Sequence, residues 1–134
     1  MQRKTKSALV RAAVRASRKA VAPYSRFQVG AALLTSSGKV VTGVNVESAS
    51  FGLTCCAERV ALFTALSMGC RNFRAIAVVA EIDGGPMPCG ACRQLLSEYA
   101  PDAEVLVADR RRPSACKSFA VSELLPDAFS RFRS

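Results

Sequence analysis

Three cysteines and one glutamate have the types and spacing of a catalytic metal site. Cys56 and Glu58 lie two positions apart, and Cys89 and Cys92 lie three apart further along the chain. Three thiolates leave a tetrahedral zinc ion one ligand short. Structural zinc sites are usually closed by four protein ligands, whereas catalytic sites keep one position open for water. The set therefore predicts an enzyme that holds one zinc ion per subunit.

Glu58 is predicted to move protons beside this metal. A carboxylate can take a proton from a water molecule, pass it to a ring nitrogen and then protonate a leaving amine. A Cys₃ set with a nearby Glu that is not a ligand resembles the signature of zinc-dependent nucleobase deaminases. The alternative is a surface Glu in the first turn of a helix, where the helix dipole favours a negative charge.

The negative charge of three thiolates must be offset if the metal is to remain a strong Lewis acid. Cys56 and Cys89 are predicted at the starts of two helices, whose N-termini supply partial positive charge and N–H donors. Arg59 is expected to donate to a thiolate. Cys55, Cys70 and Cys116 lack ligand spacing and are interpreted as ordinary buried or surface thiols. A structural four-thiol site that includes Cys55 is the alternative.

The elements that position these residues alternate between helices and strands. An amphipathic helix is predicted over residues 3–21, ended by Pro23, and a hairpin pairs residues 27–35 with 39–45. A loop over 47–54 leads to a second helix at 55–68, with Gly69 as its C-cap. The remaining elements are a buried strand at 74–80, a helix at 90–99, a buried strand at 104–108, a strand near 116–120 and a short helix at 121–125.

This order predicts an α/β fold in a single domain, 1–134, with one mixed sheet and helices on both faces. Two neighbouring parallel strands are expected to bring the N-termini of the second and third helices together. Half of the residues are hydrophobic and 22% are charged, which suggests apolar surface buried between subunits.

The net charge of +9 comes from the first third of the chain, because residues 1–46 contain nine basic and no acidic residues. Such a block can attract phosphates or an anionic membrane, or it can be the solvated face of the first helix. It also resembles an organellar transit peptide, but the core pattern begins by Phe27 without a spacer. With neither a signal peptide nor an apolar run of ~20 residues, we expect a cytoplasmic protein with no membrane partner, in which clustered cysteines bind metal.

From residue 22 to 129 the chain resembles the small, homotetrameric, zinc-dependent cytidine deaminases. The matching segments are APYSRFQVGAA (22–32), NVESASFG (45–52), CAER (56–59), PCGACRQ (88–94) and ELLPDAF (123–129). Five segments in the same order are far more specific than either cysteine motif alone.

The resemblance implies a three-layer α-β-α sandwich with a mixed five-stranded sheet. It also implies hydrolysis of cytidine and 2′-deoxycytidine to uridine and 2′-deoxyuridine with release of ammonia, a reaction of pyrimidine salvage. In this scheme a zinc-bound hydroxide attacks C4 and Glu58 shuttles the protons.

The resemblance further implies a set of substrate contacts. Phe27 would stack on the pyrimidine, although the residue alone is equally typical of a core strand. Asn45 and Glu47 would hydrogen-bond the ribose hydroxyls, although such a polar pair can also be a simple turn signal. The backbone around Ala57 and Cys89 would hold the amide edge of the base.

Assembly is implied as well, because Phe129 would reach the active site of a neighbouring subunit in a homotetramer. Phe51 stands where many relatives carry Tyr, so any contact of that hydroxyl is absent. The sequence stops five residues after Phe129, without the longer tail of some relatives. Both differences bear on affinity and assembly and not on the zinc ligands.

Three other functions remain open from the sequence. Deaminases of blasticidin S resemble the chain around the zinc ligands but lack the Asn-x-Glu pair seen here as Asn45 and Glu47. Nucleic-acid-editing deaminases typically carry His before Ala-Glu, and this sequence contains no His. It also lacks the aromatic-rich basic groove that binds single strands. The third alternative function is that of a non-catalytic zinc domain.

Overall fold

A five-stranded sheet forms the middle layer of the computed structural model, which describes residues 1–129. The spatial order of the strands is β2-β1-β3-β4-β5. The strands β3 and β4 are parallel and the other neighbouring pairs are antiparallel, so the sheet is mixed. The strands are β1 (Val29–Thr35), β2 (Val40–Val44), β3 (Phe73–Ala80), β4 (Glu104–Asp109) and β5 (Lys117–Ala120). The helices are α1 (Arg3–Ser17), α2 (Ala57–Ser67), α3 (Gly90–Tyr99) and α4 (Val121–Leu124), with a 3₁₀ turn at Phe51–Leu53.

The sheet has an apolar core on each face because its central strands are apolar at successive positions. In β1, Ala31 and Leu33 pack with α2, α3 and α4, whereas Ala32 and Leu34 pack with α1 on the opposite face. Alternate side chains of a strand point to opposite faces, so a strand covered on both sides must be apolar throughout. The three-layer α-β-α sandwich predicted from the sequence is confirmed.

Most predicted elements lie where the sequence placed them, and α3 has the predicted bounds. The first helix is shorter than predicted, because it ends at Ser17 and not at residue 21. The reason is tertiary, since Val21 pairs with Val46 as a parallel bridge and is thereby held in extended conformation. Pro23 is therefore not what ends α1.

The prediction that two neighbouring parallel strands lead into α2 and α3 was wrong. The strands that precede these helices, β2 and β3, run in the same direction but are separated by β1, which is antiparallel to both. The hairpin places β2 on the outer side of β1, and α2 packs chiefly on β2 and β1. Within residues 1–129, no helix has the length and apolarity needed to cross a bilayer.

Candidate metal centre and active site

Three cysteine sulfurs meet where α2 and α3 begin. Cys56 is the N-cap of α2 and Cys89 is the N-cap of α3, while Cys92 lies in the first turn of α3. Their sulfurs all lie within 4.8 Å of one another. The Cys56–Cys89 separation is 3.8 Å and the Cys89–Cys92 separation is 3.5 Å. The structure thus brings together the three residues that the sequence singled out as zinc ligands.

The sulfur separations fit a tetrahedral zinc ion. With Zn–S bonds of about 2.3 Å, the sulfurs of a tetrahedral site lie about 3.8 Å apart. The observed 3.8 and 3.5 Å separations match that edge without a change in the backbone. Among the described residues, no fourth Cys or His belongs to this group. A tetrahedral zinc ion held by three thiolates would therefore keep one coordination position for water.

The surroundings of Cys56 favour the thiolate form that a metal requires, whereas the hydrogen bond to Cys56 and burial raise the pKa of the neighbouring Cys92 thiol. Hydrogen bonds from the Cys92 thiol and from the Arg59 guanidinium lower the pKa of Cys56 to about 5. The Arg59 Nη2 lies 3.6 Å from Cys56 Sγ and also donates to the carbonyl of Thr54 at 3.2 Å. The backbone N–H of Cys92 donates to Cys89 Sγ at 3.4 Å. Arg59 therefore contacts the Cys56 sulfur, and its role in supporting the metal site stays a prediction.

Glu58 lies inside the protein beside this cluster. Its side chain is only 6% exposed, in the first turn of α2, two residues after Cys56. Burial, and to a lesser degree the negative charge of Cys56, raise the pKa of Glu58 to about 7. A carboxyl group of this kind can accept and return a proton near neutral pH. The alternative interpretation, a solvated surface Glu, does not apply.

The first turn of α2 is held against the sheet by a close approach at Gly43 of β2. A Cβ built at Gly43 would lie 2.4 Å from the Ala61 nitrogen and 2.6 Å from the Ala57 carbonyl oxygen. Only a residue without a side chain allows β2 and α2 to approach this closely. Ala57 is fully buried, and its backbone connects Cys56 to Glu58.

The segment that follows β2 connects the metal site to the chain before β1. Val46 pairs with Cys55 on one side and with Val21 on the other. Paired strands lie about 4.8 Å apart, so Asn45 and Glu47 run alongside the residue that precedes Cys56. The residues predicted to bind metal and ribose are therefore adjacent in space.

Asn45 and Glu47 both hold the loop that carries Phe27. Asn45 accepts a hydrogen bond from the Val29 N–H at 2.9 Å and donates to the Phe27 carbonyl at 2.8 Å. The Glu47 Oε1 accepts from the backbone N–H groups of Tyr24 and Ser25, both at 3.0 Å. Glu47 Oε2 accepts from the Ser25 hydroxyl, and these bonds lower the pKa of Glu47.

Sequence reasoning missed the role of Ser25. Its hydroxyl also accepts from the Phe27 N–H at 3.0 Å, so Ser25 links Glu47 to Phe27. A serine two residues before an anchored position is a local signal for such a turn. Arg26 between them has φ of 60°, a left-handed conformation that the surrounding bonds stabilise.

Two further aromatic residues named from the sequence lie at the surface. Phe51 is 82% exposed in the 3₁₀ turn, at the wall of a cavity of about 400 Å³ shared with Tyr24 and Glu47. Phe129 is 63% exposed, and its carbonyl accepts from the Gln94 Nε2 at 2.6 Å. The Gln94 contact was also missed, because nothing local in the sequence signals a bond between residues 35 positions apart.

Known proteins share this sequence pattern and this fold. The model of the family described as the cytidine and deoxycytidylate deaminase zinc-binding region matches residues 3–108. A cytidine deaminase of Halalkalibacterium halodurans is 50% identical over 123 residues, which are 91% of this chain and 92% of that protein. A blasticidin-S deaminase of Bacillus cereus is 33% identical over 115 residues, 80% of each chain. The crystal structure of a cytidine deaminase from Burkholderia pseudomallei superimposes with a TM-score of 0.88 at 50% identity, covering 96% of this chain and 100% of that one.

Proposed function

The chain belongs to the cytidine and deoxycytidylate deaminase family, and we propose that it hydrolyses cytidine and 2′-deoxycytidine to uridine and 2′-deoxyuridine. One water molecule is consumed and one ammonia is released per turnover. The observation that carries this proposal is the buried Glu58 beside three converging cysteine sulfurs. The reaction replaces an exocyclic amine by oxygen, and it needs both an activated water molecule and a proton carrier.

Glu58 is the proton carrier in this mechanism. Its carboxylate takes a proton from the attacking water and delivers it to N3 of the pyrimidine. It then takes the remaining proton from the new C4 hydroxyl and supplies it to the amine, which departs as ammonia and leaves the C4 carbonyl. Burial suits it to this work, because the carboxyl group exchanges protons with the substrate and not with bulk solvent. A pKa near neutrality keeps both directions of transfer accessible.

Cys56, Cys89 and Cys92 would hold the zinc ion. The bound metal supplies Lewis acidity, which lowers the pKa of water from 15.7 to about 7. Arg59 and the two helix N-termini direct positive charge and N–H donors at the thiolates, and so limit the loss of Lewis acidity that three anionic ligands cause.

We assign nucleoside binding to the residues around the Phe27 loop. A carboxylate accepts about four hydrogen bonds, and three are used by Glu47, so one position remains for a ribose hydroxyl. The Asn45 amide has two donors and two acceptor positions, of which one each is used within the chain. Phe27 would stack on the base, while the backbone of Ala57 and Cys89 would hold its amide edge.

The sugar contacts favour cytidine and 2′-deoxycytidine over the nucleoside antibiotic blasticidin S as substrates. The relative from Bacillus cereus nevertheless makes that compound the appropriate competitor. Rates for cytidine and blasticidin S, measured on the same preparation, decide between them. Faster turnover of blasticidin S would contradict the proposed ribose contacts of Asn45 and Glu47.

We also propose a homotetramer that works in pyrimidine salvage in the cytoplasm. Exposed apolar side chains support assembly, among them Phe51, Leu53 and Phe129, which are 82%, 73% and 63% exposed. Subunit contacts would cover them and carry Phe129 to a neighbouring site. Six free cysteines suit a reducing compartment. Light scattering tests the assembly, and an active monomer of 14.2 kDa would contradict it.

The substitution Glu58→Gln tests the mechanism. It preserves the size of the side chain and removes the titrating group, so zinc content should be unchanged and turnover should fall by 10²- to about 10⁴-fold. The matched control is Glu98→Gln on the exposed side of α3, which should keep full activity. The assay follows loss of cytidine by ultraviolet absorbance. Turnover in Glu58→Gln close to that of the control would refute the assignment.

A further inference from the structure

Arg93 joins the metal-binding loop to the C-terminal segment. It lies one residue after Cys92, and its guanidinium turns back so that Nε donates to the Pro88 carbonyl at 2.7 Å. Its Nη1 donates to the carbonyl of Leu124, the last residue of α4, at 3.0 Å. One rigid group therefore holds two backbone carbonyls that are far apart in the sequence.

The contact with Pro88 controls the peptide next to a metal ligand. Because a peptide unit is planar, holding the Pro88 carbonyl also fixes the direction of the Cys89 N–H on the opposite side of the plane. Pro88 is fully buried, so this carbonyl needs a partner inside the protein. The orientation of the Cys89 backbone thus depends on Arg93.

The contact with Leu124 anchors the start of the C-terminal segment, and Gln94, the residue after Arg93, anchors its end. Gln94 donates from Nε2 to the Phe129 carbonyl at 2.6 Å. Adjacent residues of α3 thereby hold both ends of residues 124–129. Asp127 within this stretch has φ of 54°, a conformation that costs free energy in a non-glycine residue and persists only where the flanking chain is held.

We propose that Arg93 and Gln94 are positioning residues that couple the metal loop to the C-terminal segment. Arg93 aligns the Cys89 peptide and anchors the end of α4, while Gln94 sets the backbone that presents Phe129. The consequence for catalysis rests on the proposed function, since it assumes that Cys89 and Phe129 take part in substrate binding. The coupling itself is a property of the fold. By reciprocity, whatever loosens the C-terminal segment loosens the metal loop, and the reverse.

Hydrogen exchange and zinc release test the coupling without any substrate. In the zinc-loaded wild-type protein, removing zinc with a chelator should raise amide exchange in residues 121–129. In zinc-loaded Arg93→Met, amide exchange in residues 121–129 should already be about tenfold faster than in the zinc-loaded wild type. Tenfold is the change in rate expected when one hydrogen bond of ordinary strength is lost. Zinc transfer to a colorimetric chelator should accelerate by a similar factor. Gln94→Leu should speed exchange near Phe129 and, by the same reciprocity, accelerate zinc release by a smaller factor than Arg93→Met, because Gln94 contacts only the far end of the segment.

A matched control is available at Arg71. Its Nη1 also donates to two carbonyls, those of Leu66 and Cys70, at 2.9 and 2.8 Å, but at the opposite end of α2 from the metal site. Arg71→Met should therefore change neither zinc release nor exchange in 121–129. Equal effects of Arg71→Met and Arg93→Met would show general destabilisation and overturn the proposal.

A second variant covers the case in which Arg93→Met does not fold. Arg93→Lys keeps the charge but lacks the planar fork, so it cannot hold both carbonyls and should show the same changes at smaller size. If Arg93→Lys and Arg93→Met released zinc and exchanged their amides at the wild-type rates, the proposed coupling would be overturned. Absence of cytidine turnover in the wild-type protein would instead refute the proposed function, and it would leave these measurements unaffected.

Discussion

The substitution Gly43→Ala should disturb the metal site from outside it. The added Cβ would lie 2.4 Å from the Ala61 nitrogen and 2.6 Å from the Ala57 carbonyl oxygen. Favourable contacts between non-bonded heavy atoms lie at about 3.5 to 4.0 Å, so α2 must move away from β2 by about 1 Å. Both close atoms belong to the backbone of α2, so no side chain can rotate to relieve the overlap.

The expected magnitudes follow from that displacement. Overpacking of this kind lowers the free energy of unfolding by about 1–3 kcal/mol. The moving helix carries Glu58 and begins at Cys56, and a displacement of about 1 Å in catalytic groups lowers turnover by about 100-fold. Zinc release should accelerate, because Cys56 moves relative to Cys89 and Cys92 at the start of α3.

Two other glycines separate a local from a general effect. Gly30→Ala places a Cβ 2.1 Å from the Ala13 carbonyl oxygen of α1, on the face of the sheet opposite α2. It should lower the free energy of unfolding but leave zinc release unchanged. Gly52→Ala meets no atom within 4 Å and should change neither.

The assays are urea unfolding, zinc transfer to a chelator and cytidine turnover on the same preparations. Wild-type zinc release and turnover in Gly43→Ala would refute the inference that this contact positions α2. Equal acceleration of zinc release in Gly30→Ala would show that the metal site responds to any loss of stability.

Three further predictions concern single residues. Cys56→Ser should lose zinc and turnover whereas Cys55→Ser keeps both, as measured by metal analysis and kinetics, because only Cys56 belongs to the sulfur cluster; equal zinc loss in both would contradict the ligand set. Asn45→Ala should lower the free energy of unfolding by about 2–4 kcal/mol in urea, because two backbone groups lose their partner, and an unchanged unfolding midpoint would argue against this role. The Lys6 ammonium and a serine hydroxyl hold the pKa of Glu104 below its usual value. The ionised Glu104 therefore stabilises the fold fully above the unfolded-state pKa of about 4.3, and this stabilisation is lost as pH falls through the lower folded-state pKa. Glu104→Gln should therefore lose less stability than wild type in urea unfolding between pH 6 and about 3, and identical acid sensitivity would contradict this.

The local parts of the site were predictable because their spacing is short. Cys89 and Cys92 lie three residues apart at the start of α3, so helix geometry alone places them on one face. Glu58 follows Cys56 by two residues in the first turn of α2, which keeps it near Cys56 along the chain. The apolar runs at β3 and β4 likewise indicated strands buried on both faces, which the structure confirms. The contact of Arg59 with Cys56 was predictable for the same local reason, since the two residues lie three positions apart.

The sequence by itself therefore determined the type of chemistry, the three cysteines that converge in the fold and the alternation of helices and strands. Only the tertiary structure decided that β1 lies between β2 and β3, that α1 ends at Ser17, and that Arg93 holds Leu124. The physical reason is range. Helix periodicity and capping act over a few residues, whereas strand order and bonds between residues 31 or 35 positions apart depend on which surfaces meet in the folded chain.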